Sequence, residues 1–439
     1  MTIPPSHRLV ASARAALAVF CAGLALQMAA CGGPSKSPVP AQSVSTTDAG
    51  DATALGTWRA TLALPGGELP FTLQLAKENG AIIGYLINGD EHLRVAETSF
   101  ANNVLKLRMP GFENALSASL KDGALSGELM MVKSGAKRQH IPFAAKTGEW
   151  RFFPTASVDA ANVAGRWAVT FTDDDGQSYR AVGEFQQTGS EVRGTFLTPT
   201  GDHRFLAGNV RGKALYLSVF DGGHAFLYHA VLGSNGELTG DYWSGLAWHE
   251  KWTAKRDARA SLGDSESVTQ MRTKAGTLGF SFPDLQGQQV SLRDIRFKDK
   301  VVIVALAGSW CPNCHDEAAF LADYYRRNRT RGVEVVSLMF EQFGDMPQAV
   351  AATRRFRSEF AIEYTTLIAG ISDKDDAATR VPELNKVVAF PTTLFVDRKG
   401  RVRRIHTGFS GPATGEHYRS LIAQFESTTE QLLREPAGT

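Results

Sequence analysis

The chain has 439 residues, 43% of them hydrophobic and 21% charged, which is core-forming material for about two or three folded domains and not the make-up of a disordered or fibrous chain. Its 47 Lys and Arg against 45 Asp and Glu leave a formal charge of +2, with the two signs interspersed. No basic stripe marks a nucleic-acid or anionic-membrane surface, so nucleic acid is excluded as an expected partner.

Residues 1–30 read as an export signal: His7, Arg8 and Arg14 precede the apolar stretch from Ala15 to Leu26, followed by Met28-Ala29-Ala30-Cys31. The stretch is shorter than the about 20 residues a membrane-spanning helix needs. Small residues before a cysteine resemble a bacterial lipobox, with Met28 where Leu is commoner. That resemblance implies a lipoprotein signal peptide, a mature chain beginning at lipidated Cys31, and a lipid-anchored, periplasm-facing place in the bacterial cell envelope. The plainer reading is ordinary signal-peptidase cleavage near Ala30, with Cys31 a bystander. A free exposed thiol in an oxidising compartment is a liability, which favours lipidation. Residues 31–54 contain almost no large apolar side chain and are expected to form a flexible tether, its ends on the order of 25 Å apart.

Residues 55–148 and 160–256 look like two copies of one all-β unit, a barrel or a sandwich. Gly56-Thr57-Trp58 recurs as Gly165-Arg166-Trp167, Gly84 is echoed by Gly194, and Leu125-Ser126-Gly127-Glu128 by Leu238-Thr239-Gly240-Asp241, at similar spacings. Apolar residues alternate, as in Phe71-Thr72-Leu73-Gln74-Leu75 and Trp167-Ala168-Val169-Thr170-Phe171, which is the period of half-buried strands. The Gly-x-Trp openings are similar to those of lipocalin and avidin-like barrels. Trp58 and Trp167 are expected in the core before any ligand role. The cluster from His224, Phe226 and Tyr228 to Trp243, Trp248, His249 and Trp252 is read as packing or interface, and no metal site is expected.

After a linker at 257–273, residues 274–436 alternate strands and helices. A strand from Val301 to Leu306 feeds Trp310-Cys311-Pro312-Asn313-Cys314. Strands then follow at 333–340 and 392–396, helices near 347–360 and 415–431, and a hairpin returns through 402–406. Two thiols one helical turn apart can close a disulfide, and the free amides of a helix N-terminus stabilise a thiolate on the first. A zinc half-site and a structural disulfide are the alternatives. Zinc wants about four ligands, usually from a second pair. The only other cysteines, Cys21 and Cys31, lie in or at the end of the export segment, which favours redox catalysis by Cys311 and Cys314 without any cofactor beyond their own disulfide.

Phe282-Pro283-Asp284-Leu285, the Trp-Cys-x-x-Cys, Phe390-Pro391-Thr392-Thr393 and Gly408-Phe409-Ser410-Gly411 together resemble the TlpA-like and ResA-like thiol-disulfide oxidoreductases of the thioredoxin superfamily, over about the last 160 residues. The resemblance implies an α/β thioredoxin-like domain behind the duplicated β-module. It implies Cys311 as attacking thiol, Cys314 as resolving thiol, Glu317 as proton acceptor, a cis Pro391, and a substrate groove formed by Trp310, Pro312, Asn313, Phe390 and Thr392. His315 is a weaker candidate for local positive charge. Three departures stand out: Leu306-Ala307-Gly308-Ser309 where an aromatic pair is usual, Pro312 placed after the first cysteine and not before the second, and bulky Phe390 before Pro391.

The expected activity is exchange of the Cys311/Cys314 dithiol with protein thiols and disulfides, more as a reductase supplied by a membrane electron donor than as an oxidase. Two other readings are a ligand- or partner-binding lipoprotein whose redox domain is auxiliary, and a peroxiredoxin-like antioxidant. The last wants Thr-x-x-Cys, where this chain has Gly308-Ser309-Trp310-Cys311.

Overall fold

The computed structural model describes residues 54–273 and 276–437; the expected export signal, Cys31 and all but the last residue of the tether lie outside the described residues. The first sheet has nine strands: β1 (Gly56–Leu64), β2 (Gly67–Glu78), β3 (Ala81–Asn88), β4 (Glu91–Arg94), β5 (Glu97–Ala101), β6 (Val104–Arg108), β7 (Ala115–Lys121), β8 (Ala124–Lys133) and β9 (Lys137–Thr147). Their order is β4-β3-β2-β1-β9-β8-β7-β6-β5, antiparallel throughout. The second sheet, also of nine strands, comprises β10 (Gly165–Asp173), β11 (Ser178–Thr188), β12 (Glu191–Thr198), β13 (Gly201–Asp202), β14 (Leu206–Arg211), β15 (Ala214–Phe220), β16 (Ala225–Leu232), β17 (Leu238–Ser244) and β18 (Trp248–Arg256). Its order is β11-β10-β18-β17-β16-β15-β14-β12-β13, and the β11–β12 pairing closes it into a barrel. The first sheet stays a half-barrel. Across its gap, Val95 N donates to Gly84 O (2.8 Å) and Gly84 N to Thr98 Oγ1 (2.9 Å).

The alternation seen in the sequence puts every second side chain inside. Trp58 and Trp167 are both core residues, and each donates Nε1–H to the carbonyl four residues earlier, Ala54 and Val163, at 2.9 Å. Gly127 and Gly240 sit where a facing strand comes close: an added Cβ would lie 2.0 Å from Ser117 O and 1.9 Å from His229 O. Phe171, Phe196, Tyr228 and Trp252 fill the closed barrel.

The half-barrel borrows its missing wall from the barrel, since Phe220, Ala225 and Leu227 belong to its core and the Phe71 and Phe220 rings lie 4.9 Å apart. Asn88, fully buried, stitches the two: Nδ2 donates to Phe220 O (2.8 Å), and Oδ1 accepts from Phe220 N (3.2 Å) and Arg151 Nη2 (3.1 Å). Asn88→Ala strips partners from buried groups and is expected to cost about 1–3 kcal/mol in chemical denaturation.

Residues 257–273 contain neither helix nor named strand. A short hairpin, β19 (Ser281–Pro283) with β20 (Gln289–Ser291), leads into a five-stranded sheet of order β23-β22-β21-β24-β25. Its strands are β21 (Val301–Ala307), β22 (Val333–Glu341), β23 (Thr365–Ile371), β24 (Thr392–Val396) and β25 (Val402–Thr407); the first three are parallel, and β24 runs antiparallel to β21 and β25. Helices α1 (Pro312–Asn328), α2 (Met346–Glu359), α3 (Lys374–Arg380) and α4 (Glu416–Arg434) connect and close it. Every residue of β21 is buried, as a central strand covered on both faces requires. This is the thioredoxin-like arrangement expected, with β23 and α3 added to the elements read from sequence. No helix among the described residues is long and apolar enough to cross a membrane.

Candidate active site

β21 ends at Ala307, and Gly308-Ser309-Trp310 carries the chain over the sheet edge to Cys311, the N-cap of α1. Pro312 occupies the first helical position, where its missing N–H removes a donor that had no intrahelical partner. The displaced proline is thus a helix-starting one. Cys311 Sγ accepts the Cys314 N–H at 3.3 Å, and its S–H donates to Phe390 O at 3.2 Å. The Phe390–Pro391 peptide is cis. Cys311 and Cys314 are free thiols, 5% and 1% exposed.

Cys314 faces the interior. Burial, then Cys311 and the Glu317 carboxyl, push its thiol well above the ordinary range. Glu317, one turn on along α1, is 1% exposed and accepts a hydrogen bond from Thr393 Oγ1 on β24. Burial raises its carboxyl to about 8, against the pull of the Thr393 hydroxyl. Trp310 donates Nε1–H to Phe340 O at 2.8 Å and meets the Phe390 ring edge-on at 5.7 Å.

The structure therefore gathers Cys311, Cys314, Glu317, Pro391, Trp310 and Phe390 around one helix start. Thr392 is different. It is fully buried, and its hydroxyl donates to Ala389 O at 2.9 Å, so its side chain faces the core and not a groove. Pro312 and Asn313 are also buried, beneath residues of the second β-sheet. His315 cannot supply positive charge: burial drops it to about 3, and its Nε2–H donates to Ser309 O at 2.7 Å.

Two contributors escaped sequence reasoning. Glu341, fully buried at the end of β22, accepts from Ser309 N (3.2 Å), Ser309 Oγ (2.6 Å) and Thr353 Oγ1 (3.0 Å), clamping the loop before Cys311. Burial raises it to about 7. The signal was a lone acid closing the apolar run Val335 to Phe340. Arg204, from the turn after β13, donates Nη1 to Pro312 O at 3.3 Å, and no local pattern announces it.

Residues 275–405 match the AhpC/TSA family. The chain is 24% identical over 149 residues to the thiol-disulfide oxidoreductase ResA of Bacillus subtilis, a stretch that is 34% of this chain and 75% of that protein. It is 25% identical over 123 residues to ResA of Bacillus thuringiensis subsp. konkukian, spanning 28% of this chain and 62% of that one, less than two thirds of the relative's length. A thiol:disulfide interchange protein of the thioredoxin family from Chlorobium tepidum is a solved structure similar to this chain at 18% identity, covering 37% of this chain and 99% of that one with a TM-score of 0.28. Strand order, the two thiols at the start of α1 and these sequence relatives lead to one conclusion: the C-terminal part of this chain is a TlpA/ResA-like domain of the thioredoxin superfamily, a thiol-disulfide oxidoreductase.

Proposed function

We propose that the protein is a lipid-anchored envelope reductase of protein disulfides, with Cys311 as nucleophile and Cys314 as resolving thiol. The observation that carries this is Cys311 Sγ set between the Cys314 amide and the Phe390 carbonyl at the start of α1. The Cys311 thiolate attacks one sulfur of the partner disulfide; the Cys311–partner bond forms, and the other partner sulfur leaves as a thiolate. Cys314, giving its proton to Glu317, then attacks Cys311 and releases the second partner thiolate. Two electrons pass from the dithiol to the partner, and a membrane electron donor returns them. Trp310 and Phe390 border the partner's chain, which pairs with the backbone before Pro391 as an added strand would.

Reduction is the direction we propose, and burial keeps the resolving Cys314 a thiol until the mixed disulfide forms. Lipidation at Cys31 and the tether through residue 54 supply the anchor. The β-region is a duplicated module, a reading supported by the matching strand orders, the paired Trp58 and Trp167 hydrogen bonds and the Gly127/Gly240 pair. With the barrel interior filled by aromatic rings, the module serves the redox site and is not a ligand cup.

Reduction of hydroxyethyl disulfide and of insulin by the mature chain tests the enzyme reading; no turnover of either with Cys311 alkylatable sinks it. A dithiol potential near the about −270 mV of thioredoxin supports a reductase, and one near about −120 mV makes it an oxidant.

A further inference from the structure

The surface over the Pro312-Asn313 dipeptide between the two cysteines comes from far upstream. The turn from Thr200 to Arg204 lies across the start of α1, where Gly201 backs onto Asn313 so closely that a Cβ would fall 2.7 Å from Asn313 Cγ. Asn313 Nδ2 donates to Asp202 O (3.2 Å) and Oδ2 (3.3 Å), and Asp202 Oδ2 also accepts Gly411 N at 2.6 Å. Arg204, besides holding Pro312 O, pairs with Asp316 on α1, with Glu91 Oε1 at 2.6 Å through Nη2 and with Asp221 Oδ2 at 2.8 Å through Nε. On the other flank Gly223 backs onto Pro312, and the Phe112 ring stacks on His315 at 3.9 Å.

This contact is built, not incidental. Three carboxylates, none more than 13% exposed, converge on one guanidinium, and parting them strands buried charge. Its consequence is steric. A protein disulfide must bring a sulfur into line with Cys311 and lay chain against Phe390, which needs an open face. A small disulfide needs room around one sulfur only. Beside the covered dipeptide lies a cavity of about 230 Å³ lined by Lys133, His224, Trp310 and Pro312 among others.

We propose that this face of the barrel is a selectivity wall, latched by Arg204, which lets small disulfides reach Cys311 and holds protein disulfides off until the wall swings away. The inference rests on the thiol-disulfide reading. Arg204 is a specificity-determining residue that touches the active-site loop without taking part in the exchange.

The test compares reduction of hydroxyethyl disulfide and of insulin by the full mature protein and by Arg204→Ala. If the open form is a minor state, the protein substrate is slowed by the open fraction, and Arg204→Ala raises the insulin rate about ten-fold or more relative to hydroxyethyl disulfide. An unchanged ratio overturns the wall while leaving the redox reading standing. No reduction of either substrate by the native chain overturns both. Should Arg204→Ala fail to fold, the native chain decides: Cys311 is expected to react with iodoacetamide about ten-fold or more faster than with a polyethylene-glycol maleimide, each normalised to the denatured chain. Equal normalised rates overturn the wall.

Discussion

Cys311→Ser is expected to lower disulfide exchange by several orders of magnitude, to the uncatalysed background, while Cys314→Ser is expected to stop after one half-reaction with the partner still joined to Cys311. The asymmetry follows from where the two sulfurs sit. Cys311 is the N-cap of α1, and its sulfur accepts the Cys314 N–H, so an incoming disulfide meets a thiol backed by a helix N-terminus. Cys314 is 1% exposed, with its thiol pushed well up by burial, and an external disulfide does not reach it. Its one accessible electrophile is Cys311 in the mixed disulfide. Non-reducing electrophoresis with mass spectrometry reads the trapped adduct. An adduct through Cys314 in Cys311→Ser would reverse the assignment.

The redox site was legible because its parts are local or carry family-wide markers. Cys311, Cys314 and Glu317 lie on one helix start, and Pro391 announces itself through Phe390-Pro391-Thr392-Thr393. The β-strands were legible from alternation, and the paired Gly-x-Trp units sit in matching surroundings. What covers the site was not. Arg204 reaches Pro312 across 108 residues of chain, and Asp202-His203-Arg204 has the look of any polar turn. Only closure of β11 on β12 and the packing of the half-barrel against β15 and β16 bring that turn to α1. β23 and α3 escaped for the opposite reason. Thr365–Ile371 is a short edge strand opening on two threonines, and the seven residues of α3 are too few to display a helical period. Thr392 was misplaced because a motif fixes backbone position, not side-chain direction. Strand alternation alone does not decide it, since all five residues of β24 are buried.

Glu317→Gln is expected to move stability and resolution together. The carboxyl holds its proton to about 8 in the folded chain, against an ordinary value of 4.5. Between those two pH values the unfolded chain has released the proton and the folded chain has kept it. Folding stability therefore falls as pH rises through that window and levels off above about 8. At about 1.4 kcal/mol per unit, the burden reaches a few kcal/mol at the alkaline end. Glutamine removes it, so the variant should match the native chain near pH 4.5 and exceed it at pH 9 in denaturant midpoint. Catalysis should move the other way. A buried site that raises both Cys314 and Glu317 tolerates a single negative charge, and the carboxylate form of Glu317 is what takes the Cys314 proton as the thiolate forms. In rapid-mixing experiments the release of partner from Cys311 should accelerate through pH 8 in the native chain. In Glu317→Gln it should be slower, with no inflection there. A structural role for Glu317 predicts the stability change with the inflection intact, so the two measurements separate a proton acceptor from a packed carboxyl.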